Sequence, residues 1–129
     1  LDLAGSGLSA ASQAQVEAGS SNTVAVTPGR LQHGSGSAKV WVTWEADGSI
    51  NTSYNVSSIT DTGTGDWDIN YSTNFSGTNY VAVSTAHLTG NALIASNGAR
   101  AVDDIQVNIH NASGSLTDAN CYTVIFGDQ

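Results

Sequence analysis

The best candidate for a metal site is a run of carboxylates and hydroxyls in the middle of the chain. Asp61, Asp66 and Asp68 occupy relative positions 1, 6 and 8, with Thr62 and Thr64 between them. Calcium takes about six to eight oxygen ligands in irregular geometry, so the segment could hold one ion. It lacks the remaining acidic positions of an EF-hand, and turn capping by Asp61 and Asp66 explains the same residues without an ion. The three aspartates are therefore weak metal candidates, and the sequence predicts no cofactor.

Aromatic side chains offer a second kind of chemistry, the stacking of sugar rings. In the alternating pattern of residues 38–45, Trp41 points to the opposite face of its strand from Trp44. At least one of the two indoles can therefore lie outside the core. Exposed rings beside Asn and Asp suit sugar binding, whereas burial in a sandwich core or a subunit interface is the alternative. We take Trp41 as a candidate for glycan binding.

Three polar residues, His87, Asn91 and Asn97, are further candidates for receptor contact. They lie in residues 87–101, which contain two turn-forming pairs of glycine and asparagine and no clear alternation. This composition predicts a long exposed loop with a short apolar piece at 93–94. Loops on a rigid scaffold often carry recognition residues.

The other reactive side chains form no recognisable catalytic group. His33, His87 and His110 are isolated and have no zinc-site spacing within one chain, although at a threefold axis one histidine could ligate a metal three times. There is no Gly-x-Ser-x-Gly elbow, and only two of the eleven carboxylates are glutamates. Cys121 is solitary and surrounded by strand formers, which predicts a buried small side chain. The sequence therefore predicts a protein that is not an enzyme.

Composition and charge exclude two broad functions. Lysine and arginine number three against eleven carboxylates, and the net charge is −8. Such a chain cannot line a groove for nucleic acid with cations. No apolar run approaches the roughly 18 residues needed to span a bilayer, so membrane insertion is not expected.

The first 21 residues differ in composition from the rest. Ser12 and Gln15 have the spacing of a capping box, and Gly19 is a suitable terminator, so a short helix is expected between them. We interpret residues 1–21 as a connector whose alanines suit close approach to a partner chain, with a frayed leader as the alternative. Residues 22–129 are predicted to form a single domain.

That domain has the pattern of β-strands. A first strand through Val24 and Val26 is expected to end in a turn at 27–29, and Asp47-Gly48 is a strong hairpin signal. Residues 61–66 are predicted to form another turn. Alternation assigns three sets of side chains to the core: Val40, Val42 and Trp44; Trp67, Ile69 and Tyr71; and Ile105, Val107 and Ile109. About seven short strands at even spacing predict an all-β, antiparallel β-sandwich. Residues 121–126 are apolar on both faces, which is expected in the middle of a sheet or under an interface.

Several stretches resemble the C-terminal domains of tail-fibre and related structural proteins of tailed bacteriophages and prophages. The most specific is the run SYNVSSITDTGTGDW at residues 53–67. The others lie at residues 14–19, 26–30, 37–42, 111–114 and 125–128. The resemblance extends from about residue 11 to the end of the chain and is weakest over residues 87–101.

The resemblance implies a virion component located on a tail fibre or other external appendage. It implies a homotrimer about the fibre axis that contacts other virion proteins and attaches to a glycan or protein of the host surface, with recognition summed over three copies. Two alternatives stay open. One is a purely structural appendage or connector domain, and the other is a monomeric carbohydrate-binding module.

Overall fold

A computed structural model describes residues 7–129, which fall into two compact units that divide between Ser37 and Ala38. The boundary expected from composition lies between residues 21 and 22. The first unit contains four short elements, which are β1 (Ser9–Ala10), α1 (Gln13–Ala18), β2 (Val24–Ala25) and α2 (Pro28–Leu31). Strands β1 and β2 pair in parallel, and Ala11 N donates to Ala25 O at 2.8 Å.

Helix α1 confirms the predicted capping box. Ser12 Oγ accepts from Gln15 N at 3.3 Å, and Gln15 Oε1 accepts from Ser12 N at 2.9 Å. Gly19 ends the helix with φ of +60°, a left-handed conformation that glycine adopts without steric cost. The backbone N–H groups of Ser12 and Gln15, which have no partner inside the helix, thereby gain hydrogen bonds, and the Gln15 carbonyl accepts one from Gly19 N.

The prediction for residues 24–29 is wrong in two respects. The strand covers only Val24–Ala25, and Val26 lies outside it. Residues 27–29 do not form a turn between strands, because Pro28 opens helix α2. Proline suits the first helical position, where its missing N–H would have had no partner in any case.

The second unit is built from eight strands in two antiparallel sheets. The strands are β3 (Val40–Trp44), β4 (Ile50–Tyr54), β5 (Val56–Gly63), β6 (Asp66–Tyr71), β7 (Val81–His87), β8 (Leu93–Arg100), β9 (Asp104–Asn111) and β10 (Asn120–Phe126). Sheet A has the order β4-β3-β10-β7, and sheet B has the order β5-β6-β9-β8. Strand β10 lies inside sheet A, as predicted for a segment that is apolar on both faces.

The core confirms the predicted all-β sandwich. The nine core residues predicted from alternation, from Val40 to Ile109, are all buried between the two sheets, together with Phe75, Tyr80, Ala119, Cys121 and Ile125. The number of strands was underestimated: residues 7–129 contain ten strands, two of them in the first unit, instead of about seven.

Two local features connect the strands, a hairpin that the sequence predicts and a corner between the sheets. Residues 45–49 form the hairpin between β3 and β4, with Gly48 at φ +82°. The corner lies at Asn55, which has φ +58° and separates β4 of sheet A from β5 of sheet B. The Asn55 amide holds the corner by donating to Lys39 O and Thr73 O and by accepting from Thr73 N at 2.7 Å. Asparagine tolerates this conformation better than most residues do.

Residues 87–101 do not form the predicted long loop. Strand β8 occupies Leu93–Arg100 and pairs with β9, leaving only a short connection after β7. The turn signal at Asn97-Gly98 was misleading because Gly98 lies in the strand, where a Cβ would clash with the side chains of Gln106 and Asn108. The expected turn at 61–66 is likewise shorter, since β5 continues to Gly63 and β6 begins at Asp66.

We predict that Gly65→Ala lowers the free energy of unfolding by about 2 kcal/mol or more. Gly65 has φ +66°, and an added Cβ would lie 2.5 Å from Thr117 N and 2.7 Å from Ile109 O. Urea unfolding of the variant measures the change. Gly77→Ala is the control, since its Cβ would meet nothing within 4 Å. Equal stability of the two variants would contradict the packing described for Gly65.

Candidate functional site: the outer face of sheet A

The outward face of sheet A carries aromatic and aliphatic side chains that are open to solvent. Trp41 on β3 is 38% exposed, whereas Trp44 and Trp67 are buried in the core at 0% and 1%. Alternation along β3 places Trp41 opposite to the core, as the sequence predicts. Of the three tryptophans, Trp41 is therefore the one available for stacking.

Two tyrosines that sequence reasoning did not select join Trp41 on this face. Tyr54 on β4 pairs directly with Trp41, and Tyr122 on β10 lies opposite Thr43, two residue pairs along the strands from Trp41. They are 45% and 43% exposed. Their positions in alternating strands were visible in the sequence, but their proximity to Trp41 depends on the strand order, which the sequence does not reveal.

A shallow groove of about 230 Å³ runs along this face beside the aromatic rings. Trp41 and Thr43 of β3 lie on one side of it, and Val83 and Thr85 of β7 lie on the other. Tyr122 of β10 lies between them. The groove combines apolar walls with hydroxyl groups, which is typical of sites that orient a small ligand by a few polar contacts.

The two sheets differ sharply in charge. The four strands of sheet A contain no Asp, Glu, Lys or Arg. The strands of sheet B contain four aspartates and one arginine, at positions 61, 66, 68, 100 and 104. A chain of net charge −8 thus keeps its most apolar exposed face free of formal charge apart from the titratable His87.

The other predicted receptor contacts fall in three different places. His87 is exposed at the end of β7, on the same outward face as Val83, so the structure brings it to the sheet of Trp41. Asn91 is exposed in the turn between β7 and β8, where its amide donates to Thr89 O at 3.2 Å. Asn97 is half-buried on β8 and is engaged in hydrogen bonds.

The Asn97 side chain links strands of the two sheets. Its Nδ2 donates to Ala82 O at 2.9 Å, and its Oδ1 accepts from Ser84 Oγ at 2.8 Å. Ser84 Oγ also lies 2.8 Å from Thr123 Oγ1, which is buried. These bonds tie β8 of sheet B to β7 and β10 of sheet A, so the amide has a structural use at this edge of the sandwich.

The three metal candidates belong to the acidic side of the molecule, on sheet B. Asp61 Oδ1 accepts from Gly63 N at 2.9 Å, and Asp66 Oδ1 accepts from Gln106 Nε2 and Asn108 Nδ2. Partial burial raises the pKa of Asp68, and the nearby carboxylates of Asp104 and Asp66 raise it further. Within residues 7–129, no three His, Cys, Asp or Glu side chains are grouped closely enough to hold an ion.

Cys121 is buried in β10, as predicted. Burial is the main cause that raises the pKa of its thiol to about 12, and this outweighs the hydrogen bonds from Thr123 and Tyr122 that favour the thiolate. A thiol that stays protonated and has no access to solvent is a poor nucleophile. It packs as a small apolar side chain in the core.

Comparison with known proteins finds no matching family model, no matching curated protein and no matching solved structure. Among residues 7–129 no helix has the length and apolar character that crossing a bilayer requires.

We predict that Asn97→Ala lowers the free energy of unfolding by roughly 1 kcal/mol, because the substitution removes the hydrogen bonds that the Asn97 amide makes with Ala82 O and with the Ser84 hydroxyl. Asn91→Ala is the matched control in an exposed turn, with an expected change below about 0.5 kcal/mol. Thermal or urea unfolding measures both. A loss at Asn91 as large as that at Asn97 would refute the structural role of the Asn97 amide.

We also predict that the Cys121 thiol does not react with a disulfide reagent in the folded protein and reacts fully after denaturation.

The pH dependence of stability gives a further prediction for Cys121. The folded-state pKa of about 12 lies above the ordinary value of 9.0, so the unfolded chain loses the thiol proton first as pH rises. The protonated Cys121 thiol therefore contributes fully to the free energy of unfolding below about pH 9, and this contribution is lost between about pH 9 and 12. Cys121→Ala should show a shallower decline of stability over that range, and an unchanged slope would contradict the assignment.

Proposed function

We propose that this chain is a structural domain of a phage tail fibre, tail spike or related virion appendage, and that it attaches to the bacterial surface by binding a glycan. The observation that carries the proposal is the open, charge-free face of sheet A with Trp41, Tyr54 and Tyr122 exposed on it. Aromatic rings exposed on a rigid sheet are costly to leave in water, and such surfaces commonly serve binding.

The resemblance in the sequence adds the virion context. The run SYNVSSITDTGTGDW covers the end of β4, the Asn55 corner, β5 and the start of β6. It includes Tyr54, which lies beside Trp41, so the most specific part of the resemblance adjoins the candidate site. This supports placing the domain in a fibre or spike.

The proposed assembly is a homotrimer, in which three copies of a weak site act together. Linked sites raise the overall affinity without new contacts, because the second and third binding events become intramolecular. The proposed mechanism is docking, with no catalytic step. Other virion proteins would anchor the domain to the appendage.

The apolar face also favours a second candidate, a connector domain that touches only other virion proteins. Val81 and Val83 on β7 are 64% and 53% exposed on the same face, and side chains of this kind are typical of the centre of protein interfaces. In that case the face would be covered in the assembled virion and would never reach the host. The third candidate, a free carbohydrate-binding module, shares the site but requires a monomer.

Light scattering and cell binding test these alternatives together. We expect the 129-residue chain to have three times the monomer mass of 13.2 kDa and to bind cells of at least one strain in a bacterial panel. Trp41→Ala should weaken each copy about tenfold, a loss that the trimer magnifies. Ile94→Ala, an exposed aliphatic on sheet B, is the matched control.

The outcomes separate the candidates. A monomer that still needs Trp41 for binding favours the free module and rules out avidity. Binding that is equal in Trp41→Ala and Ile94→Ala would exclude the sheet A face as the attachment site. A trimer that binds no cell but retains other virion proteins through Trp41 would favour the connector.

A further inference from the structure

Sheet A presents two parallel rows of side chains that cross its four strands. The strand register aligns an apolar row, which is Tyr54, Trp41, Val124 and Val83 on β4, β3, β10 and β7. Two residues further along each strand, on the same face, lies a hydroxyl row, which is Thr52, Thr43, Tyr122 and Thr85 on the same four strands. Neighbouring strands are about 4.8 Å apart, so each row is a line of closely spaced groups perpendicular to the strands.

The hydroxyl groups of the second row have no partner in the part of the chain that the structure describes. Thr43, Thr52, Thr85 and Tyr122 make no side-chain hydrogen bond to any residue between 7 and 129. On the outer face of sheet B several polar groups do bond to one another: Asp66 accepts from Gln106 and Asn108, and Asn70 donates to Thr60 Oγ1 at 2.9 Å. The hydroxyl groups of the second row therefore stay available to a ligand.

Charge narrows the class of ligand. The four strands of sheet A contain no lysine or arginine to pair with an acidic sugar, and the whole chain carries −8. Lys39, which directly precedes β3, is buried at 3% exposure. A polyanion would be repelled at long range and would find no cation on arrival. An uncharged ligand with one apolar side and one hydroxyl-bearing side matches both rows.

We infer that the outer face of sheet A binds an uncharged oligosaccharide that lies across the strands. The C–H faces of its pyranose rings stack on Trp41 and Tyr54, and the ring hydroxyls exchange hydrogen bonds with the threonine and tyrosine hydroxyls of the second row. The inference rests on the proposed function and names the chemical class of its ligand and the direction in which the ligand lies.

Affinity electrophoresis of the 129-residue chain tests whether the ligand is an uncharged polysaccharide. Native gels contain an uncharged polysaccharide (dextran, mannan or xylan) or an anionic one (polygalacturonate or dextran sulfate). We expect at least one uncharged polymer to retard the protein and the anionic polymers to have no effect. Retardation should fall about tenfold in Trp41→Ala and survive in Ile94→Ala.

Variants at the two edges of sheet A test whether the oligosaccharide lies across the strands. Tyr54→Ala on β4 removes the last ring of the apolar row, and Thr85→Val on β7 removes the last hydroxyl of the second row while keeping the shape. A ligand lying across the strands contacts both edges, so both variants should weaken binding severalfold. Thr78→Val, in an exposed loop, is the control for Thr85→Val. Weakening at only one edge would overturn the crossing arrangement.

Fluorescence supplies an independent readout, because Trp44 and Trp67 are buried and Trp41 is exposed. The bound polymer should protect Trp41 from acrylamide quenching. If Trp41 is already shielded without sugar in an oligomer, a second copy occupies the face and the inference fails. If no uncharged polymer binds, or only anionic ones do, the inference fails as well. Cell binding that still requires Trp41 would then show that attachment stands and only the ligand class is wrong.

Discussion

Burial of the two inward faces against each other is the interaction on which the rest of this structure depends. The chain has few large apolar residues, with 27 Leu, Ile, Val and Phe among 129, so the sandwich needs nearly all of those that point inward. Trp44 from sheet A and Trp67 from sheet B fill the largest volumes of this core. In such a sparse chain, leaving Trp41, Val81 and Val83 in water gives up burial free energy of about 25 cal/mol for each Å². A ligand or partner of the kind proposed above would recover part of this burial.

The outward faces of the two sheets carry different kinds of polar groups. On sheet B, Gln106 and Asn108 on β9 both donate to the Asp66 carboxylate on β6, so hydrogen bonds between side chains link the strands of this acidic surface. On sheet A, Trp41 and Tyr122 stand beside hydroxyls that have no protein partner in the described part of the chain. The difference arises because alternation along each strand separates core from surface, whereas the strand order decides which surface residues become neighbours.

Prediction from the sequence succeeded where local physics decides the conformation. The Ser12 capping box, the 45–49 hairpin and the burial of Cys121 all follow from residue spacing within a few positions. It failed over β8 because Asn97 and Gly98 look like a turn when read alone. In the fold, Gly98 lies within β8, where an added Cβ would approach the end of the Gln106 side chain, and the Asn97 amide makes its hydrogen bonds to a strand of the other sheet. Tertiary packing overrode the local preference of both residues.

For the candidate site, the sequence by itself determined that Trp41 points away from Trp44, because side chains alternate along any extended strand. Only the tertiary structure decided that Tyr54 and Tyr122 lie beside Trp41. The pairing of β10 with β3 joins residues about eighty positions apart in the chain, and it is set by which sheet faces bury the most apolar surface together. The hydrophobic periodicity of each segment does not show which distant segment pairs with it. The two rows of sheet A are therefore formed only by the strand pairing of the folded sandwich.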